Sequence, residues 1–127
     1  MTAHIIARRD AASAAWFEGL MEGLLLIRRC DACGHNCRPD AEACTACESR
    51  DLRWVEAMGT ARVVAAVSTP GDAGSATVQA LVELAEGPWL HAPVLGAPAA
   101  PPPGTALVLT ILRPDHGEPF PAFTVSA

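Results

Sequence analysis

The sequence predicts a mainly β chain with one N-terminal α-helix, a metal-binding ribbon after it and a small five-stranded barrel to finish. Three observations predict this. Four cysteines fall in two Cys-x-x-Cys knuckles, Cys30/Cys33 and Cys44/Cys47, with ten residues between the knuckles. Ahead of them, apolar side chains recur at helical spacing. Behind them, five short runs rich in valine, alanine and leucine follow within about seventy residues, separated by glycine and proline.

Size and composition bound the answer. At 127 residues the chain makes one ordinary domain or two very small ones, and at 50% hydrophobic it can bury a core. Cysteines occur only between positions 30 and 47, which is not the pattern of a secreted disulfide framework. Arg8-Arg9 leads into a segment carrying Glu18 and Glu22, so no signal peptide is expected. Residues 87–112 carry no charge, but Pro88, Pro93, Pro98, Pro101, Pro102 and Pro103 would break any membrane-crossing helix there. The expectation is a soluble, cytoplasmic protein with no membrane partner.

Taken in order, residues 1–9 read as a loose arm. Asp10 is placed to cap a helix, because its carboxylate can accept first-turn amides and suits the positive end of the dipole. The Ala-Ala-Ser-Ala-Ala run that follows favours helix. Trp16, Phe17, Leu20, Met21 and Leu24 then form an apolar stripe, which either packs on the body or offers an aromatic face to a ligand or partner. Gly19 and Gly23 weaken this helix, so it needs a surface to lie against.

Leu24-Leu25-Leu26-Ile27 suits a strand leading into the first knuckle, and Leu52-Arg53-Trp54-Val55-Glu56 the strand returning from the second. A two-residue gap lets both sulfurs of a knuckle face one ion, and two knuckles complete a thiolate tetrahedron. That donor set suits one structural zinc ion, or adventitious iron in the same site, held by Cys30, Cys33, Cys44 and Cys47, rather than two redox dithiols or disulfides. Four protein ligands leave no open position for water. Gly34 permits the left-handed turn a knuckle often needs. Cys37 lies inside the loop and reads as a spare thiol. A ribbon of about twenty residues has almost no core of its own, so metal binding supplies its folding energy.

From Gly59 the pattern turns to β structure. Residues 60–68 are rich in valine and alanine, and Pro70 to Gly74 reads as a turn or loop. Val78, Ala80, Val82 and Leu84 alternate with Thr77, Gln79, Leu81 and Glu83, as in a half-buried strand. Glu86-Gly87 turns the chain into residues 89–95, and a stiff proline-rich connection covers 97–104. Residues 105–112 form the most apolar strand, and 120–125 close the set. Five strands of this length suit a barrel such as the OB-fold, although spacing alone leaves the strand order open.

These stretches, taken together, resemble a known family. The matching residues are Trp16-Phe17-Glu18-Gly19-Leu20, Leu24 to Gly34, Cys44-Thr45-Ala46-Cys47-Glu48-Ser49, Leu52-Arg53-Trp54, Ala80 to Pro88 and Pro119 to Phe123. In this order and spacing the chain resembles the zinc-ribbon/OB-fold family first described as domain of unknown function thirty-five. The resemblance implies an N-terminal arm and helix over 1–27, a rubredoxin-like zinc ribbon over 28–56 and an OB-fold over 57–127. It also implies an accessory subunit of acyl-CoA metabolism. Family members pair with thiolase-superfamily enzymes (thiolases, thiolase-like aldolases, acyltransferases) or are fused to hydratase-like domains. They scaffold the partner and help to hold coenzyme A. A dimeric thiolase-like partner would give a two-plus-two heterotetramer. This chain departs from the pattern in its Trp16-Phe17 order and in a loop between the knuckles reduced to Arg38-Pro39 and carrying Cys37.

Four functions compete. A non-catalytic scaffold fits the closed metal site and the apolar composition, since excess apolar surface on a small domain marks a partner. A nucleic-acid-binding module fits poorly, because affinity for phosphate needs cations. Positions 1–62 hold eight arginines against nine acids, and positions 63–127 only Arg113 against five. No nucleic-acid partner is expected. An enzyme would need more than His91 and His116, the only barrel histidines, which pair with nothing at a recognisable spacing. A free-standing acyl-CoA-binding protein is the alternative to the scaffold. Candidate ligand or partner contacts are Trp16, Phe17, Leu20, Arg28, Arg29, Arg53 and Arg62, with the partner favoured as the main phosphate site.

Overall fold

The computed structural model describes residues 10–71 and 76–126. The arm expected over 1–9, with Arg8 and Arg9, and the tip of the turn after Gly71 lie outside the described residues.

Helix α1 spans Ala14–Met21, and Ser13, not Asp10, is its N-cap residue. Asp10 and Ser13 instead satisfy each other. The Asp10 carboxylate accepts from the Ser13 amide and hydroxyl, both at 2.8 Å, while the Ser13 hydroxyl accepts from the Asp10 amide at 2.9 Å. Asp10 closes a turn before the helix, and its carboxylate meets the Ser13 amide ahead of Ala14, where the helix begins. Those bonds favour the carboxylate and hold Asp10 below the usual carboxylate range.

Both glycines of the helix have a structural use. A Cβ at Gly19 would come within 2.8 Å of Leu26 Cδ1, so the glycine leaves room for that leucine side chain against the helix. Gly23 takes φ +86° just past the helix end. There the Leu24 amide donates to the Gly19 carbonyl and the Gly23 amide to the Leu20 carbonyl, a glycine-type C-cap.

The cap delays the strand. β1 spans Leu26–Cys30, later than the Leu24–Ile27 expected, because Leu24 is still bonded to the helix. β2 is only Asn36–Cys37, and β3 is Leu52–Glu56. They form an antiparallel sheet in the order β2-β1-β3.

Strands β4 (Thr60–Pro70), β5 (Ala76–Leu84), β6 (Trp89–Leu95), β7 (Ala106–Leu112) and β8 (Phe120–Val125) make a closed barrel in the order β4-β5-β6-β8-β7. β7 returns to pair with β4, and β6 pairs in parallel with β8. This is the five-stranded Greek-key barrel of the OB-fold. The expected alternation holds along β5, where Val78, Ala80, Val82 and Leu84 are all buried.

The core is continuous across the elements. Phe17 and Leu20 of α1, Leu25, Ile27 of β1 and Ala57 pack in one cluster with Val63, Val82, Leu84, Leu107 and Phe123 of the barrel. The helix and the inner face of the ribbon sheet therefore lie against the barrel. Among the described residues no helix is long and apolar enough to cross a membrane; the uncharged 87–112 stretch is strand and loop.

Candidate metal centre

The two knuckles repeat one hydrogen-bond scheme. In the first, the Gly34 amide donates to the Cys30 carbonyl at 2.8 Å and the Cys30 amide to the His35 carbonyl at 2.9 Å. In the second, the Glu48 amide donates to the Cys44 carbonyl and the Cys44 amide to the Ser49 carbonyl, both at 2.8 Å. The residue after each second cysteine turns left-handed: Gly34 at φ +79° and Glu48 at φ +66°. Glycine does this without steric cost and glutamate does not.

This repetition brings the four sulfurs together, all within 4.8 Å of one another. Cys30 Sγ lies 3.6 Å from Cys47 Sγ, and Cys33 Sγ 3.6 Å from Cys44 Sγ. A tetrahedron with metal–sulfur bonds of about 2.3 Å has sulfur–sulfur edges of about 3.8 Å. The residues present therefore fit a soft, four-coordinate ion with almost no rearrangement. Cys30 and Cys44 are buried, while Cys33 and Cys47 reach the surface.

The protonation pattern points the same way. Burial opposes ionisation of Cys30 and Cys44, but the amides aimed at them outweigh it and lower both thiols, Cys44 to about 6. Those amides come from Cys33 and Ala32 in one knuckle and from Cys47 and Ala46 in the other. Cys33 and Cys47 also receive an amide, from His35 and Ser49, yet the neighbouring sulfurs push both up, Cys47 to about 12. Four sulfurs this close can all be anions only around a cation.

Cys37 stands apart from the four. It is buried against Cys30 and Cys44, and its thiol points to the His35 carbonyl at 3.9 Å. Burial, followed by the neighbouring Cys44, keeps it protonated.

The other singled-out residues divide into three groups. Phe17 and Leu20 are 6% and 0% exposed and belong to the core. Trp16 meets Phe17 edge-to-face at 4.9 Å, and its indole nitrogen is buried with no acceptor among the described residues. Arg28, Arg29 and Arg53 share the ribbon sheet: Arg28 lies 4.2 Å over the Trp54 ring, Arg53 pairs with Asp31 at 3.0 Å, and Arg29 faces Arg53 across the strands. Arg62 is on β4 of the barrel, opposite Glu83, and does not join that set.

Arg28, Arg29, Arg53 and Arg62 were expected near the junction between ribbon and barrel, but none of them lines the cleft found there. A cleft of about 490 Å³ opens there, lined by His35, Asn36, Arg38, Glu86, Pro88 and Trp89 among others. The Asn36 amide donates to the Glu86 carbonyl at 3.1 Å, and the Glu86 carboxylate accepts from the Met58 amide at 2.8 Å. In the sequence, Glu86-Gly87 gives only a turn signal, and fifty positions separate Asn36 from Glu86.

No known family model matches the chain. A solved chain of the Ltp2-ChsH2(DUF35) aldolase does: it is 34% identical, covers 94% of this chain and 98% of its own length, and superposes with a TM-score of 0.79. The chain belongs to the DUF35 family. A DUF35 protein of unknown function from Sulfolobus solfataricus superposes with a TM-score of 0.66 over 91% of this chain and 86% of its own, at 19% identity, and shares the fold. Among curated proteins, a probable enoyl-CoA hydratase alpha subunit of Thermomonospora curvata is 37% identical over 116 residues, or 87% of this DUF35 chain. The chain spans 36% of the length of that relative.

Proposed function

We propose that this DUF35 protein is a non-catalytic accessory subunit that docks on a thiolase-superfamily enzyme and supports its acyl-CoA chemistry. The observation that carries the reading is the likeness, over nearly the full length of both chains, to the DUF35 part of an aldolase. The hydratase subunit from Thermomonospora curvata supports the acyl-CoA setting, because its name specifies an acyl-CoA substrate class. In this reading one zinc ion sits among Cys30, Cys33, Cys44 and Cys47 and acts as a clamp, since four sulfur ligands leave no position for substrate. Five free thiols suit a reducing, cytoplasmic setting. A dimeric enzyme would take up two copies of this chain, giving the two-plus-two assembly. Coenzyme A would be held chiefly by the enzyme, with Arg28, Arg29, Arg53 and Arg62 as the contributions open to this chain.

The experiment is co-purification. Tagged protein recovered from its own cells should retain a thiolase-superfamily enzyme in equal amount, identified by mass spectrometry. That enzyme, expressed without its accessory chain, should be insoluble or have little activity. Full activity of the enzyme alone would overturn the scaffold role. Recovery of a hydratase in the same proportion would keep the accessory role and change the reaction.

A further inference from the structure

We propose that metal occupancy of the ribbon is transmitted to the β5–β6 turn of the barrel through one strut, Asn36 to Glu86. The metal thereby sets the shape of the cleft beside Trp89.

The strut begins at an element that cannot stand alone. β2 has two residues and meets β1 at two positions, Arg28↔Cys37 and Arg29↔Asn36. What places it is the first knuckle, through the Cys30 amide on the His35 carbonyl and the Gly34 amide on the Cys30 carbonyl. The apolar cluster under it consists of Cys30, Cys37 and Cys44 with Ala41 and Leu52, three of its five members being cysteines. So small a cluster does not offset the chain entropy of ordering a loop this long, and the metal–thiolate bonds must do so.

Asn36 then carries that order across to the barrel. Its side-chain amide is, among the described residues, the only side-chain hydrogen bond from β2 to the barrel. Glu86 receives it on its carbonyl while its carboxylate receives the Met58 amide, so one residue is held by the ribbon and by the ribbon-to-barrel linker together. The turn itself is short: the Gly87 amide bonds the Leu84 carbonyl, and the Leu84 amide bonds the Pro88 carbonyl. Trp89 follows directly, 47% exposed, with its indole donating to Glu83. Releasing Asn36 frees one side of the turn that positions Trp89 and opens the cleft wall.

The proposal rests on the reading that the four cysteines hold a metal, and the test separates the two. Hydrogen–deuterium exchange of the full chain is followed with cobalt(II) loaded, the thiolate-to-cobalt absorption reporting occupancy independently. In Asn36→Ala with full cobalt absorption, amides of residues 84–87 should exchange roughly fivefold faster than in the parent, the equivalent of one lost hydrogen bond. Residues 106–112 should be unchanged. Chelation of the parent should accelerate the same turn. Parent-like protection of 84–87 in loaded Asn36→Ala would overturn the strut, as would an unaltered turn in the metal-free parent. If the metal-free parent unfolds throughout, the loaded variant alone decides. No cobalt uptake at all would overturn the metal reading and the proposal with it.

Discussion

Arg113 donates through Nη1 to the Met21 carbonyl at 3.1 Å, joining the end of β7 to the end of α1 across 92 positions of sequence. The carbonyls at a helix C-terminus lack partners within the helix and carry the negative end of its dipole, so a cation there is doubly favourable. This explains the placement of the one arginine that the chain carries beyond position 62.

Arg113→Ala should therefore loosen the helix from the barrel without unfolding the barrel. The bond is exposed, so the loss should be about 1 kcal/mol, seen as a melting temperature a few degrees lower by circular dichroism. Arg113→Lys should recover part of it. An unchanged melting temperature in Arg113→Ala would show that apolar packing alone holds the helix.

The two knuckles supply a second test, because they differ in one residue at equivalent places. Glu48→Gly should relieve a left-handed glutamate and stabilise the metal-loaded ribbon by about 1 kcal/mol, while Gly34→Ala should cost a similar amount. Competition between each variant and a chelator for cobalt measures both. Equal affinities for Glu48→Gly and the parent would mean that the strain at φ +66° is relieved elsewhere.

Much of the fold was legible before the structure, and the exceptions have a common physical cause. Val78, Ala80, Val82 and Leu84 announce β5 because strand periodicity and burial coincide there. The knuckles are legible because ligand spacing is a local property. β2 is not, since two residues make no pattern and their place comes from the first knuckle. Asp10 misleads as a cap because the helix begins later, with Ser13 as its N-cap residue and Asp10 in the turn before it. The parallel β6–β8 contact and the Asn36–Glu86 strut depend on barrel closure, which no local pattern encodes. At the site, the cysteines could be read off the chain; the aromatic helix face could not, because Trp16 and Phe17 are neighbours in sequence yet only Phe17 turns fully inward.

Metal uptake should depend on pH with a definite sign. In the metal-free chain Cys44 is held near 6 and is a thiolate at neutral pH, whereas Cys47, pushed up to about 12, and Cys33, also raised, keep their protons. Binding must expel those protons, so affinity rises with pH through the neutral range. Below about 6 the Cys44 thiolate is lost as well and affinity should fall more steeply. Cobalt affinity measured against a chelator from pH 5.5 to 8.5, a range bracketing roughly the Cys44 titration alone, checks this. An affinity independent of pH would mean that the four thiolates are already formed without metal.

Packing and docking at the helix can be separated with two substitutions. Leu20 is fully buried, so Leu20→Ala should cost about 2–5 kcal/mol and lower enzyme recovery merely by unfolding the helix region. Trp16→Phe is different. It keeps a ring against Phe17 and removes an indole N–H that is buried without an acceptor among the described residues, so stability should stay level or rise by about 1 kcal/mol. Because that nitrogen is covered by the chain itself, recovery of the proposed partner enzyme should not change either. A drop in recovery at an unchanged melting temperature would instead make the indole a contact of the partner. It would mean that the N-terminal side of α1 rearranges when the two proteins meet.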